Sequence, residues 1–170
     1  MGKTTVMKAY ARVFLQHKQQ VIVFPGTGDT TFPKGVKYYW SADELEAALN
    51  DPENFGAFVM IDEGASLYGE VTRKLHPTIH GLFMRGRHKG YTVFIATQYP
   101  TSIPPAARLN CGERFLFGIP DEAAADLIWK DCGRIMYEGK TLKDCILQLQ
   151  PHEYFHYIHP GMIAKCVTRK

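Results

Sequence analysis

Apolar runs too short for helices alternate along this chain with amphipathic stretches too long for strands. Val21-Ile22-Val23-Phe24 and Phe58-Val59-Met60-Ile61 are unbroken apolar segments. Such runs suit strands buried on both faces, as in a parallel sheet flanked by helices. Thr92 to Gln98 is apolar through its centre and polar at its end, and Arg114 to Ile119 reads as a further short strand. Between these runs the period changes. Val6, Met7, Tyr10, Val13 and Phe14 recur at helical spacing and predict a helix from Thr4 to about His17. Ser41 opens a second helix with a capping box to Glu44 and an inner stripe of Leu45, Ala48 and Leu49, and Asp51-Pro52 stops it. A third runs from about Thr78 to His88, with Ile79, Leu82 and Phe83 inside. Ala106 to Asn110 is one helical turn. Asp121 caps a helix to about Asp131, with Ala124, Leu127 and Ile128 inward and Gly133 closing it. Leu142 to Leu149 is a last short helix. Glu153 to Ile158 and Met162 to Val167 form a hairpin around His159-Pro160-Gly161. The polar stretches to Lys37 and from Gly64 to Thr72 are loops. The pattern predicts an α/β fold: a doubly wound, mainly parallel sheet flanked by helices, with a C-terminal β-hairpin.

Length adds that 170 residues make one domain, spanning 1–170. A net charge of +3 is too small to diagnose a nucleic-acid partner. Cys111, Cys132, Cys145 and Cys166 form no C-x-x-C pair, so they read as free thiols and suggest neither a zinc ribbon nor a redox motif. No stretch approaches the apolar length of a membrane-spanning helix.

Chemistry is concentrated at two places. The run Phe58 to Ile61 ends in adjacent carboxylates, Asp62 and Glu63. The C-terminal ends of strands are where open α/β sheets bind ligands. There Asp62 can hold a Mg²⁺ and Glu63 can polarise a water for attack. The chain also opens with Met1-Gly2-Lys3-Thr4-Thr5, and Gly-Lys-Thr is the back half of a phosphate-binding loop. Lys3 and Thr4 would stand at a helix N-terminus, where backbone donors and the dipole favour phosphate.

Taken together, Gly2-Lys3-Thr4, Ile61-Asp62-Glu63 and Ala96-Thr97-Gln98 resemble the FtsK–HerA family of P-loop ATPases. The basic turn Arg85-Gly86-Arg87-His88-Lys89-Gly90, leading into the strand that ends at Gln98, is the most family-like stretch. Within that family the likeness is to the viral genome-packaging ATPases first, and next to the Zot-like morphogenesis ATPases of filamentous phages. It covers roughly residues 2–119. The resemblance implies a RecA-like ATPase fold with ATP and Mg²⁺ as cofactors. Gly2, Lys3, Thr4 and Thr5 would bind the nucleotide, with Lys3 on the β- and γ-phosphates. Thr4 and Asp62 would bind the metal. Glu63 would orient the attacking water and Gln98 would sense the γ-phosphate. Arg87 or Arg85 would enter the neighbouring subunit's site as an arginine finger. The local alternative for both arginines is a solvated helix C-terminus, where cations suit the dipole. The implied partners are double-stranded DNA, further copies of the chain in a ring of five or six, and proteins of the capsid or portal vertex. The implied location is the host cytoplasm or the virion vertex. Zot-like proteins usually carry a membrane span after the ATPase domain, and its absence here favours packaging.

The family pattern also places a strand and the first half of the phosphate loop before Gly2. The expectation is therefore that Met1 is internal to a longer reading frame. Two other readings stand beside the motor. A domain with half a phosphate loop could assemble or bind DNA without hydrolysing ATP. His152-Glu153-Tyr154-Phe155-His156 matches the H-E-x-x-H zinc pattern, but that motif works on a helix, and these aromatics after Pro151 favour a strand. Lys34, Lys37, Arg73 and Lys74 could meet DNA phosphates, and no role is assigned to them.

Overall fold

The computed structural model describes residues 2–26, 31–62 and 77–168. They fall into two compact units, Val6–Gln98 and a second built from the first five residues with Tyr99–Lys170.

The first unit carries a four-stranded parallel sheet. Its strands are β1 (Val21–Pro25), β2 (Lys37–Tyr38), β3 (Phe58–Asp62) and β4 (Thr92–Ile95), in the order β2-β1-β3-β4. The helices are α1 (Lys3–Gln16), which begins in the other unit, α2 (Ala42–Asn50) and α3 (Pro77–Arg85). Register explains why β1 and β3 are apolar throughout. Ile22 pairs with Val59 and Phe24 with Ile61, and this face packs on Leu45 and Leu49 of α2 and Leu82 of α3. Val21 pairs with Phe58 and Val23 with Met60; Val21, Val23 and Met60 face the other way, onto Met7 and Ala11 of α1. With both faces covered there is no position for a polar alternation. Helices on both faces of a parallel sheet were expected from the sequence, and they are found.

The second unit holds α4 (Pro105–Leu109), β5 (Glu113–Phe117), α5 (Glu122–Asp131), the small pair β6 (Met136–Tyr137) and β7 (Lys140–Thr141), α6 (Leu142–Leu147), β8 (Glu153–Ile158) and β9 (Met162–Val167). Strands β5, β8 and β9 make an antiparallel sheet in that order, so the expected C-terminal hairpin is present. Leu116, Phe155 and Tyr157 pack on Ala125, Ile128 and Cys132 of α5 and on Leu142 and Ile146 of α6. Burial pushes the Cys132 thiol pKa up, which suits an inert core thiol. Arg108 donates from Nε to Asp131 at 2.7 Å with both side chains largely buried, and Arg114 donates to the Arg108 carbonyl at 2.8 Å.

Several boundaries differ from expectation. The strand expected to reach Gln98 ends at Ile95. One further ladder bond forms, Ala96 N–H to the Ile61 carbonyl at 2.8 Å, before the chain turns away. The strand expected at Arg114–Ile119 is shifted to Glu113–Phe117, because its partner is the antiparallel β8, and their ladder runs from the Glu113–Ile158 pair to the Phe117–Tyr154 pair. The third helix ends at Arg85, and Gly86–Lys89 tightens into a 3₁₀ turn closed by Gly90 in the left-handed region.

Candidate functional site

Asp62 is the last residue of β3 and is 5% exposed. Its carbonyl accepts a hydrogen bond from Gly26 N–H at 2.9 Å, which ties the loop after β1 to the same sheet edge. Gln98 lies just past β4, the neighbouring parallel strand, and is exposed. Asp62 and Gln98 thus share the C-terminal edge of one sheet, where such folds bind ligands. Glu63 lies outside the described residues, as do Arg73 and Lys74.

The basic turn is at the opposite edge. Gly56 N–H, two residues before β3, donates to the Lys89 carbonyl at 2.9 Å. From Gly56 to Asp62 an extended chain covers about 20 Å at roughly 3.3 Å per residue. Arg85 and Arg87 are both exposed and, among the described residues, form no ion pair. Neither can reach Asp62 of its own chain from that position. Lys89, by contrast, is absorbed by the fold. It donates to the Leu49 carbonyl and to Asn50 Oδ1, each at 3.0 Å, and sits over the Phe55 ring. Its cation closes the C-terminal end of α2, as helix polarity favours. Sequence reasoning missed this role, because the contact spans 40 residues.

Gly2 precedes α1, and Lys3, Thr4 and Thr5 form its first turn, which contains no acidic residue. Gly2 and Lys3 are half-buried. Among the described residues Lys3 has no ion pair. Gly2 has φ +131, and a Cβ there would stand 2.6 Å from Cε1 of Phe117, whose ring is itself buried. Both the backbone conformation and the close approach require glycine. Gly2→Ala is therefore expected to cost about 1–3 kcal/mol, seen as a lower thermal midpoint by circular dichroism. An unchanged midpoint would mean that Gly2 does not hold this conformation in solution.

The donors present fit Mg²⁺. That ion takes oxygen ligands and keeps several waters, using one or two carboxylates together with substrate phosphates. The buried carboxylate of Asp62, at the end of β3, is a donor of that kind. Among the described residues no cluster of three or more His, Cys, Asp or Glu side chains could hold a metal by itself.

The H-E-x-x-H segment does not form a zinc site. Glu153–His156 belongs to β8, so positions four apart are separated by roughly 13 Å. His152 Nδ1 meets Thr168 Oγ1 at 3.2 Å, and His156 Nε2 meets Glu113 Oε2 at 3.1 Å. Glu153 pairs with Lys165 at 2.8 Å, a contact that holds its carboxyl below the usual pKa. Lys37 is likewise engaged, donating to Asn54 Oδ1 at 3.2 Å.

The architecture is matched by the DNA-packaging ATPase B204 from Sulfolobus Turreted Icosahedral Virus, with a TM-score of 0.75 at 17% identity over 99% of this chain and 93% of that one. The chain shares the fold of that ATPase. The genome packaging NTPase B204 from Sulfolobus turreted icosahedral virus 2, solved in complex with AMPPCP, gives a TM-score of 0.75 at 16% identity, covering 96% of this chain and 90% of that one. The pCW3 conjugation coupling protein TcpA, solved with ATPγS, gives 0.69 at 14% identity over 96% of this chain and 56% of that one. Residues 36–115 match the model of the zonular occludens toxin (Zot) family. No curated protein matches the chain by sequence. The likeness to viral packaging ATPases and to Zot expected from the motifs is thereby found.

Proposed function

We propose that this chain is the ATP-hydrolysing subunit of a motor that moves double-stranded DNA and packages a viral genome into its capsid. One observation carries the reading. A buried carboxylate, Asp62, ends a parallel strand that is buried from Val59 onward and is followed directly in the sequence by Glu63, within a fold shared end to end with a DNA-packaging ATPase. In this reading Gly2 to Thr5 bind the triphosphate, with Lys3 on the β- and γ-phosphates. Thr4 and Asp62 would be the ligands of a Mg²⁺, whose chemistry would be to neutralise charge on the transferring phosphoryl group. Glu63 accepts a proton from the attacking water, and Gln98 reports on the γ-phosphate from the adjacent strand. The residues 1–170 act as one domain. Copies assemble as a ring of five or six, and either Arg87 or Arg85 enters the neighbour's site; the separation of the basic turn from its own chain's Asp62 supports a role in trans. Capsid or portal vertex proteins anchor the ring, and the motor works in the host cytoplasm or at the virion vertex.

The test is ATP turnover with and without double-stranded DNA. Turnover stimulated by DNA supports the motor. Turnover indifferent to DNA favours a Zot-like phage assembly ATPase, the reading that the match over 36–115 supports. ATP binding without turnover leaves an assembly or DNA-binding domain. Lys3→Ala is expected to weaken ATP binding at least about tenfold, since it removes the charge-assisted contact to two phosphates. Calorimetric titration checks it, and native affinity would remove Lys3 from the site.

A further inference from the structure

The small net charge of the chain hides an uneven distribution. Residues 1–42 contain six lysines and arginines and one acid, Asp29, whereas the whole chain nets only +3. The fold gathers much of this excess on one surface of the first unit. Gly35 lies against α1, where a Cβ would stand 3.5 Å from Cδ2 of Leu15. Lys8 ties the same segments together, donating to Thr31 Oγ1 and sitting over the Phe32 ring. Helix α1, which carries no acid, and residues 31–36 thus share one surface. Arg12, Lys18 and Lys34 are exposed on it, and among the described residues none of the three has an ion pair or a side-chain hydrogen bond. Lys18 also closes α1 in the left-handed region, at φ 59, with its N–H on the Leu15 carbonyl at 3.0 Å. Glycine is the usual residue there, so the backbone conformation gains nothing from a lysine.

A surface of fixed cations needs an anionic partner. The densest acidic stretch of the chain, Asp43 to Glu46, is a poor complement from a second copy, because Glu44 closes the capping box and Asp43 has contacts of its own. Single strands are held by stacking bases on exposed rings, but α1 turns its rings inward, Tyr10 onto Phe94 and Phe14 onto Phe58. A duplex offers phosphates instead. From Arg12 to Lys18 the chain rises about 9 Å at 1.5 Å per residue, a length over which a duplex presents about five charges. We infer that Arg12, Lys18 and Lys34 form a contact surface for the phosphate backbone of double-stranded DNA, without regard to sequence. This rests on the duplex partner proposed above and adds where the chain holds it. The surface is separate from the proposed ATP site. Phe58 N–H, at the start of β3, donates to the carbonyl of Gln20, two residues past Lys18, at 2.9 Å, while Asp62 ends that strand.

Fluorescence anisotropy of a labelled duplex of arbitrary sequence, titrated with the 170-residue chain at several KCl concentrations, tests it. Arg12→Gln, Lys18→Gly and Lys34→Gln should each weaken binding and flatten the slope of log affinity against log salt by about 0.9, and the triple variant by about 2.7. Glycine adopts the Lys18 conformation readily, so the thermal midpoint of Lys18→Gly should not fall. ATP turnover without DNA should stay native in all of them. Lys130→Gln, which removes the same charge from α5, should leave the slope unchanged. An unchanged slope in the triple variant overturns the surface, and duplex binding by the native chain then keeps the DNA reading. An equal loss in Lys130→Gln also overturns it, because net charge alone would be responsible. A loss confined to oligothymidylate assigns the cations to single strands and overturns it as well. So does a lower oligomeric mass by sedimentation with duplex binding intact, which assigns them to a subunit interface. A native chain that binds no duplex at low salt overturns the surface and the DNA partner together, while nucleotide binding is read separately by the ATP titration.

Discussion

Glu63→Gln is expected to bind ATP with native affinity and to hydrolyse it at least about 100-fold more slowly. The amide matches the carboxylate in size and can still accept a hydrogen bond, so the site should keep its shape. It cannot take up the proton that an attacking water must lose. General-base catalysis contributes roughly 10²–10⁴ in rate, which sets the expected loss. The role proposed for Glu63 is argued from Asp62, which is buried at the end of β3, and from the adjacency of the two carboxylates in the sequence. Asp62→Asn provides the contrast. Its carboxylate is assigned to the metal, so its loss should raise the Mg²⁺ concentration needed for turnover, an effect that Glu63→Gln should not show. Steady-state phosphate release, with Mg²⁺ as the variable, separates the two roles. Native turnover in Glu63→Gln would remove Glu63 from the chemistry.

What was legible in the sequence was local or doubly buried. The capping box at Ser41 needs only residues three apart. It is found as read: Glu44 N–H donates to Ser41 Oγ at 3.1 Å, and Ser41 N–H donates to the Glu44 carboxylate at 3.2 Å. Strands β1 and β3 were visible because burial on both faces leaves an unbroken apolar run. The strand expected at Glu153–Ile158 followed from the β-propensity of Tyr154 and Phe155, and it is found as β8. What escaped was short or long-range. Strand β2 is two residues, Lys37 and Tyr38, and carries no apolar period; its partner Val23 supplies the reason for its existence. The pair β6 and β7 is equally short, held around a two-residue turn at Glu138-Gly139. No pattern announces that Arg108 and Asp131 will meet, since nothing links them until α4 and α5 fold together. The same holds for the basic turn. From sequence its cations look alike, yet Lys89 is consumed in capping α2 while Arg85 and Arg87 remain exposed.

That division sets the second large effect, an arginine acting in trans. Arg87→Ala is expected to spare ATP binding and to cut turnover about 10³-fold, the lower end of what a finger contributes. The geometry behind this is the span of the sheet. The turn bearing Arg87 is tied through Lys89 to Gly56, before β3 begins, while Asp62 ends that strand. An arginine that cannot cross its own sheet can stabilise a transferring phosphoryl group only in another subunit. Mixing makes the point testable. In a blend of Arg87→Ala and Glu63→Gln subunits, some interfaces pair an intact Glu63 from the first with an intact Arg87 from the second. Turnover should then exceed that of either variant alone and should peak near equal proportions. The same blend with Arg85→Ala decides between the two arginines, because only the one that enters the neighbour's site needs rescue. Recovery with neither would show that the sites are not shared, and the exposed arginines would then be no more than cations at the end of α3.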